Sequence, residues 1–319
     1  MSLIIKKRYE RPIELRILLT GANGFVGKNI AKVLSSGDTD LLTPPSVELN
    51  LQNKDAVHDY LAASRPDLVI HAAGRVGGIE ANIQNPASFL VENTQIGFNL
   101  LTSAKSVGVA RVLNLGSSCM YPKNAINPLQ EASLLSGDLE PTNEGYALAK
   151  ISVAKLGLYL SDHEFHCKTM IPSNLYGPHD HFDEETGHLI PSLIARLSKA
   201  QRAGMSEITL WGSGLVRREF MYISDLVDAI LFCIENFEQL PGYFNCGLGR
   251  DYMIREYYEM LMGLLGYEAK LVPDLSKPEG MKQKLIDSSV LNSMGWSAKT
   301  PLEAGLRETL EFYRGLEGV

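Results

Sequence analysis

The stretch RILLTGANGFVG, residues 16–27, runs from a short apolar block straight into three glycines spaced three apart, at Gly21, Gly24 and Gly27. A five-residue block with an apolar centre, Ile17–Leu19, that ends on a glycine turn reads as a buried strand, and the residues after it take up helical spacing. A strand that turns directly into a helix builds an anion site. The first helical N–H groups have no partner inside the helix, and the helix dipole presents its positive end there. Glycines at these places permit a tight turn, close approach of backbone to a pyrophosphate, and close packing of helix on strand. Gly21, Asn23, Gly24, Phe25, Val26 and Gly27 are therefore candidates for holding a dinucleotide.

Outward from this loop the chain alternates. Helical spacing is expected over 25–35, a short strand over 40–43, a helix over 55–64, and a strand at LVIH (68–71). A long amphipathic segment at 86–107 leads to the strand RVLNLG (111–116), then a helix over 146–160 and a strand over 168–171. Strands separated by helices predict parallel βαβ units, hence an α/β fold with a Rossmann-type doubly wound parallel sheet. After Pro172 the alternation loosens into a polar, His-rich loop (178–187), a helix over 189–203, and a segment at 271–285 rich in Pro, Lys and Gly. This half is expected to form a smaller C-terminal substrate-binding lobe over the strand ends. The predicted division is 14–175 for the dinucleotide domain, with 219–246 returning to it, and 176–218 with 247–319 for the lobe.

Composition narrows the function. At 319 residues and 45% hydrophobic the chain can bury a large core. A formal net charge of −7 disfavours general binding to nucleic acid or anionic membranes. The four cysteines are scattered without CxxC pairing, which suits reduced thiols better than a disulfide framework or a metal site. With no apolar run near the ~18 residues of a membrane span, the cytoplasm is the expected location. The first dozen or so residues precede the first strand and read as an extension.

Two further groups carry chemistry. GSSCMYP (116–122) sits at the end of the fourth long strand, and YALAK (146–150) follows on a helix. Four-residue spacing puts the Tyr146 hydroxyl and the Lys150 ammonium on one helix face. A tyrosine of ordinary pKa about 10 can exchange protons near neutrality when a lysine cation lies beside it. Ser117 can hold a substrate oxygen. The GxxGxxG spacing, in place of GxGxxG, points to the short-chain dehydrogenase version of the cofactor site. NAD specificity normally uses a carboxylate at the end of the second strand. Thr43-Pro44-Pro45-Ser46 offers none, which favours NADP(H). It offers no arginine for a 2′-phosphate either, so NAD(H) stays open.

From these residues outward the chain resembles the GDP-L-fucose synthase family of extended short-chain dehydrogenase/reductases, along nearly all its length after residue 15. The resemblance is carried by RVGGIEAN (75–82), GSSCMYP (116–122), LEPTNEGYALAK (139–150), NLYGPHDHF (174–182), GHLIPSL (187–193), WGSGLVRREF (211–220) and SKPEGMKQKLID (276–287). It implies Ser117, Tyr146 and Lys150 as a reductase triad and Cys119 with His188 as an epimerase pair. Cysteine and histidine, with ordinary pKa values of about 8.5 and about 6.5, bracket neutral pH and can exchange protons with a carbon acid. His179 and His181 are the weaker alternatives to His188. Ala72, Ala73 and Asn174 join the cofactor residues, and Asn174 could equally serve the substrate. Arg218 would bind the diphosphate, with Arg196 and Lys284 near the phosphates and sugar and Trp211 packed on the substrate. For Trp211 a core position is an equal reading, whereas Arg217 and Lys199 read as solvated charges. Asn23 and the Pro-Pro pair stand where the family carries arginines suited to a 2′-phosphate.

The expected function is thus an NADP(H)-dependent epimerase/4-reductase acting on a GDP-linked 4-keto-6-deoxy sugar, without a metal, working as a homodimer through the helices at 86–107 and 146–160. Three other readings remain. One is a 4-reductase, or an enzyme inverting a single centre, for a related sugar of the colitose or 6-deoxyheptose type. A 4,6-dehydratase would need an acidic pair where Cys119-Met120 stands. A non-catalytic NADP-sensing protein would usually have lost the tyrosine or the lysine.

Overall fold

The computed structural model describes residues 15–37, 39–184, 186–277 and 280–318. The expected N-terminal extension lies outside them, as do positions 278 and 279 of the 276–287 segment.

The glycine loop joins β1 (Arg16–Thr20) to α1 (Phe25–Leu34). Beyond it come β2 (Asp40–Leu42), α2 (Lys54–Ser64), β3 (Leu68–His71), α3 (Ile79–Gln84), α4 (Pro86–Ser106), β4 (Arg111–Leu115), α5 (Glu144–Leu160) and β5 (His166–Pro172). These strands and the later β10 (Tyr243–Cys246) form one six-stranded sheet in the order β10-β5-β4-β3-β1-β2. Every pairing in it is parallel. From β1 the chain steps out to β2, crosses back to β3 on the other side, and then continues to β4 and β5. The order therefore reverses between β1 and β3, where a crevice opens beyond the strand ends.

Alternation along each strand sorts side chains to two cores. Leu18, Val69 and Val112 pack with Val57 and Leu61 of α2 and Leu100, Leu101 and Ala104 of α4. Ile17, Leu19, Ile70 and Leu113 face the opposite way, among Ile30 and Leu34 of α1 and residues of the later helices. Both faces are covered, so the strands read as unbroken apolar runs.

α4 and α5 approach closely because small residues line their contact. A Cβ added at Gly97 would stand 2.3 Å from Val153 Cγ2 of α5, and one at Gly157 would stand 3.6 Å from Leu101 Cδ1 of α4 and 2.5 Å from Cys167 Sγ of β5. The segment expected as one helix from 86 is preceded by a separate short helix, α3. Pro86 accounts for the break, since it starts α4 as a first-turn residue and disfavours helix in the residue before it. α5 opens two residues ahead of Tyr146, leaving that residue in the first turn.

Smaller pairings follow. β6 (Asn174–Tyr176) runs beside β9 (Phe220–Tyr222), and β7 (Glu207–Trp211) beside β12 (Lys270–Asp274). β8 (Arg217–Arg218) lies between β11 (Tyr252–Met253) and β13 (Gln283–Lys284). The remaining helices are α6 (Leu189–Arg202), α7 (Ile223–Glu235), α8 (Ile254–Leu265), α9 (Ser289–Ser293) and α10 (Leu302–Glu317). None of the described helices is long and apolar enough to cross a membrane.

The close approach of α4 and α5 is testable. Gly97→Ala should overpack the contact and cost about 1–3 kcal/mol, seen as a lower Tm. The double variant Gly97→Ala/Val153→Ala should recover most of that loss, because the side chain in the way has been removed.

Candidate active site

The crevice at the β1/β3 reversal is lined by two loops in backbone contact. Gly21 has φ of 75°, and a Cβ there would stand 2.7 Å from Ala73 N and 2.8 Å from the Ala72 carbonyl. A Cβ at Gly27 would fall 2.0 Å from Gly21 O. Gly24 caps α1 in an extended conformation without a side-chain bond, which leaves the first helical N–H groups available to an anion. These are the requirements of a pyrophosphate cradle, and the residues fit a dinucleotide. Beyond Ala73 the loop is held by buried Asn93, whose Oδ1 accepts from Arg75 N at 2.9 Å and whose Nδ2 donates to Arg75 O at 3.0 Å.

The neighbouring strand end supplies the next groups. Ser117 Oγ accepts from Cys119 N at 3.3 Å and caps the single turn Ser118–Met120. Tyr146 stands edge-on to Phe89, with ring centroids 6.4 Å apart. Burial pushes its phenol up and Cys119 adds to this, while a hydrogen bond with Ser117 acts the other way. The phenol therefore stays protonated at neutral pH and is suited to donate a proton. Lys150 is buried, donates from Nζ to Leu115 O at 2.9 Å, and lies 5.8 Å from the centre of the Tyr146 ring. Burial brings its ammonium down to about 8. His71, at the end of β3, is held neutral by burial and by Lys150, at about 3, and shares a 2.8 Å hydrogen bond with Thr20 Oγ1.

Cys119 is the meeting point of three segments. Asn143, at the entry to α5, donates from Nδ2 to Sγ at 3.2 Å, and Lys284 Nζ of β13 stands 3.9 Å from the same sulfur. The neighbourhood that joins Ser117, Tyr146 and Lys150 therefore also holds a thiol with a cation beside it.

The strand that carries Lys284 is held by a buried glutamate. Glu219 is 0% exposed and accepts from Gly249 N at 2.8 Å and from Ile286 N at 2.9 Å. Its own N–H donates to Lys284 O at 3.2 Å. Burial pushes it up to about 7 against the pull of these backbone donors. Asn174 donates from Nδ2 to Glu219 O at 2.9 Å, so this side chain too is tied to the clamp.

Other expected residues lie further along the lobe. Arg218 donates from Nη1 to Met281 O at 2.6 Å. Arg196, on α6, reaches Thr209 O at 2.9 Å and Tyr258 Oη at 3.3 Å. Trp211 is 40% exposed, with Lys277 Nζ 5.1 Å from its ring centre, so it is not a core residue. Arg217 departs from expectation. Rather than a solvated charge, it is half-buried and bonded from Nε to Asp251 Oδ1 at 2.9 Å. Lys199 is an exposed residue paired with Glu184.

His188 is half-exposed at the start of α6, and Asp180 of the same loop lies beside it. The Asp180 carboxylate beside it raises its pKa, and burial works against the rise. His181 hydrogen-bonds Thr186 and His179 packs on Phe312, so each has a structural engagement of its own. Sequence reasoning assigned no role to Asn143, Asp180 or Glu219. Each sits inside a quoted motif, but only its contacts reveal what it does.

The chain is similar to known proteins along most of its length. Residues 17–247 match the model of the NAD dependent epimerase/dehydratase family. GDP-L-colitose synthase of Yersinia pseudotuberculosis is 52% identical over 301 residues, covering 94% of this chain and 98% of that protein. GDP-L-fucose synthase of Azorhizobium caulinodans is 40% identical over 299 residues, covering 93% and 96%. Among solved structures, the GDP-mannoheptose C4 reductase of Campylobacter jejuni with NADP bound superposes with a TM-score of 0.84 at 29% identity, covering 96% of this chain and all of that one.

Gly21→Ala tests the cradle. The new Cβ meets backbone on the facing loop at a left-handed φ, so at least a tenfold loss of affinity for reduced dinucleotide is expected, about 1.4 kcal/mol. Titration of cofactor fluorescence would measure it.

Proposed function

The chain belongs to the NAD dependent epimerase/dehydratase family, and from that premise we propose that it is an NADP(H)-dependent epimerase/4-reductase of GDP-linked 4-keto-6-deoxy sugars. The observation that carries this reading is the convergence on Cys119. A thiol bonded by Asn143 and faced by Lys284 shares one site with the Ser117–Tyr146–Lys150 group. A reductase alone has no use for such a thiol, whereas an epimerase needs a proton acceptor beside the carbonyl.

A ketone at C4 acidifies the protons on C3 and C5. Cys119 takes one of these protons on sulfur, with the Lys284 ammonium beside it, and His188 returns a proton to the opposite face. Ser117 orients the carbonyl for both stages. Reduced nicotinamide, when bound, supplies the hydride for C4. Tyr146 protonates the new C4 oxygen, and the Lys150 ammonium stabilises the phenolate left behind. Gly21, Asn23, Gly24, Phe25, Val26 and Gly27, with Ala72 and Ala73, hold the dinucleotide. Arg218, Arg196 and Trp211 serve the GDP-sugar. In this reading 14–175 with 219–246 forms the cofactor side, and 176–218 with 247–319 the sugar side.

A second substrate is favoured by the 52% identity to a GDP-L-colitose synthase, against 40% to a fucose synthase. Its 3,6-dideoxy sugar has no stereocentre at C3, so only C5 would be inverted. We further propose a cytoplasmic homodimer. Val91 and Phe98 of α4 and Leu148 and Tyr159 of α5 are exposed on the two helices that would meet a second copy, and the four cysteines are unpaired thiols.

Turnover with NADPH in deuterated water separates the two substrates. GDP-4-keto-6-deoxymannose consumed with deuterium at C3 and C5 supports the fucose type. Preference for the 3,6-dideoxy ketone, with inversion at C5 alone, supports the colitose type, and failure with both sinks the reading. Cys119→Ser should suppress deuterium incorporation about 100-fold or more while hydride transfer persists. Reduction should decline as pH rises through about 8, where Lys150 loses its proton, and Lys150→Met should remove that dependence together with most of the rate.

A further inference from the structure

The loop between β6 and α6 carries a buried carboxylate that the reaction above does not use. Asp180 has a side chain only 2% exposed, and its Oδ1 lies 3.6 Å from His188 Nδ1. The same oxygen accepts from His181 N at 2.8 Å, whereas Oδ2 is buried without a hydrogen-bond partner. A buried carboxylate with an unmet oxygen is costly and is sustained where a nearby cation or donor offsets it. Among the described residues, His188 is the cationic group within ion-pair distance of it.

The backbone around Asp180 is built to hold it inward. His179 takes a left-handed φ of 70°, a strained conformation for a residue with a side chain, and its ring packs 4.7 Å from that of Phe312. Asn29 of α1 donates to Pro178 O at 2.8 Å, tying the loop to the helix that follows the glycine turn. Asp183 accepts from Thr186 N at 2.7 Å and closes the segment just ahead of His188. A loop pinned at both ends fixes the distance between a carboxylate and an imidazole eight residues apart.

We propose that Asp180 is the positioning residue for His188, holding Nδ1–H so that Nε2 is the nitrogen that exchanges the proton with the sugar carbon. The assignment of Nε2 to the sugar rests on the function proposed above. A carboxylate on Nδ1 selects the tautomer, orients the ring and favours the imidazolium, as required of a group that must deliver a proton near neutrality. Other charges lie on the elements packed around the loop. Lys199 of α6 pairs with Glu184 and Arg75 of the β3 loop pairs with Glu92, while Lys28 and Lys32 of α1 act on His179.

Nitrogen-15 NMR of the imidazole, assigned with His188→Gln, tests the contact without any sugar. The wild-type ring is expected to titrate above 6.5 and to hold its neutral proton on Nδ1. In Asp180→Asn the titration should move to lower pH, and in Asp180→Glu it should stay near the wild-type value. With a 4-keto sugar in deuterated water, Asp180→Asn should slow carbon exchange about 10–100-fold and displace its pH optimum downward, while NADPH affinity stays within twofold. A wild-type ring protonated on Nε2, or an Asn variant with unshifted titration and pH profile, overturns the proposal. If the Asn variant does not fold, the wild-type tautomer and the Glu variant still decide it. If the ring behaves as expected and no 4-keto sugar is turned over, the function fails and the Asp180–His188 contact stands.

Discussion

The turn between β1 and α1 closes on a backbone atom. Gly21 O accepts from Gly24 N at 3.0 Å and occupies the space that a side chain at Gly27 would need. Everything downstream depends on that contact. It sets α1 close against the sheet and aims its free N–H groups into the crevice. It also brings Gly21 against Ala72 and Ala73, so the two loops bracketing the reversal in strand order become one surface. Residues with a Cβ would hold these segments apart, and the cradle would be lost even if every strand still formed.

On the other side of the crevice a buried tyrosine–lysine pair and a thiol share a floor. Tyr146 stays protonated because burial and the nearby thiol disfavour its anion, and burial brings Lys150 down to about 8 while its ammonium donates to Leu115 O. Cys119 lies between them and the lobe, with an amide and an ammonium directed at its sulfur. Glu219 turns this from a loose meeting of loops into a fixed geometry. Its carboxylate and backbone together bind Gly249, Ile286 and Lys284, which belong to two different connections.

The parts legible in the sequence were those with local signatures. β1, β3 and α4 declared themselves through apolar runs and helical spacing, and the glycine loop and the Tyr146–Lys150 pair through fixed intervals. Strands of two or three residues such as β8, β11 and β13 have no period to detect, because pairing across the lobe makes them strands. The same limit hid the partners. Arg217 read as a solvated charge because nothing adjacent marks Asp251, 34 residues away, as its acceptor. Trp211 could have been core or surface, since a five-residue edge strand buries alternate positions and the register is set by β12. Motif resemblance named Cys119 and His188 as candidates, but not Asn143 or Asp180, which only their contacts bring forward.

The sulfur of Cys119 and the ammonium of Lys284 are separated by 165 positions along the chain. Ser117, Tyr146 and Lys150 can assemble as soon as β4 and α5 pack, within a single strand–helix unit. The cation beside the thiol arrives only when β13 docks against β8, after nearly nine-tenths of the polypeptide has been synthesised. Closing so long a loop is entropically slow compared with folding one unit. During biosynthesis the two halves of the candidate site therefore mature at different times. The emerging chain exposes a lone thiol before it has a complete proton-transfer machine, and the last quarter of the chain decides when that interval ends.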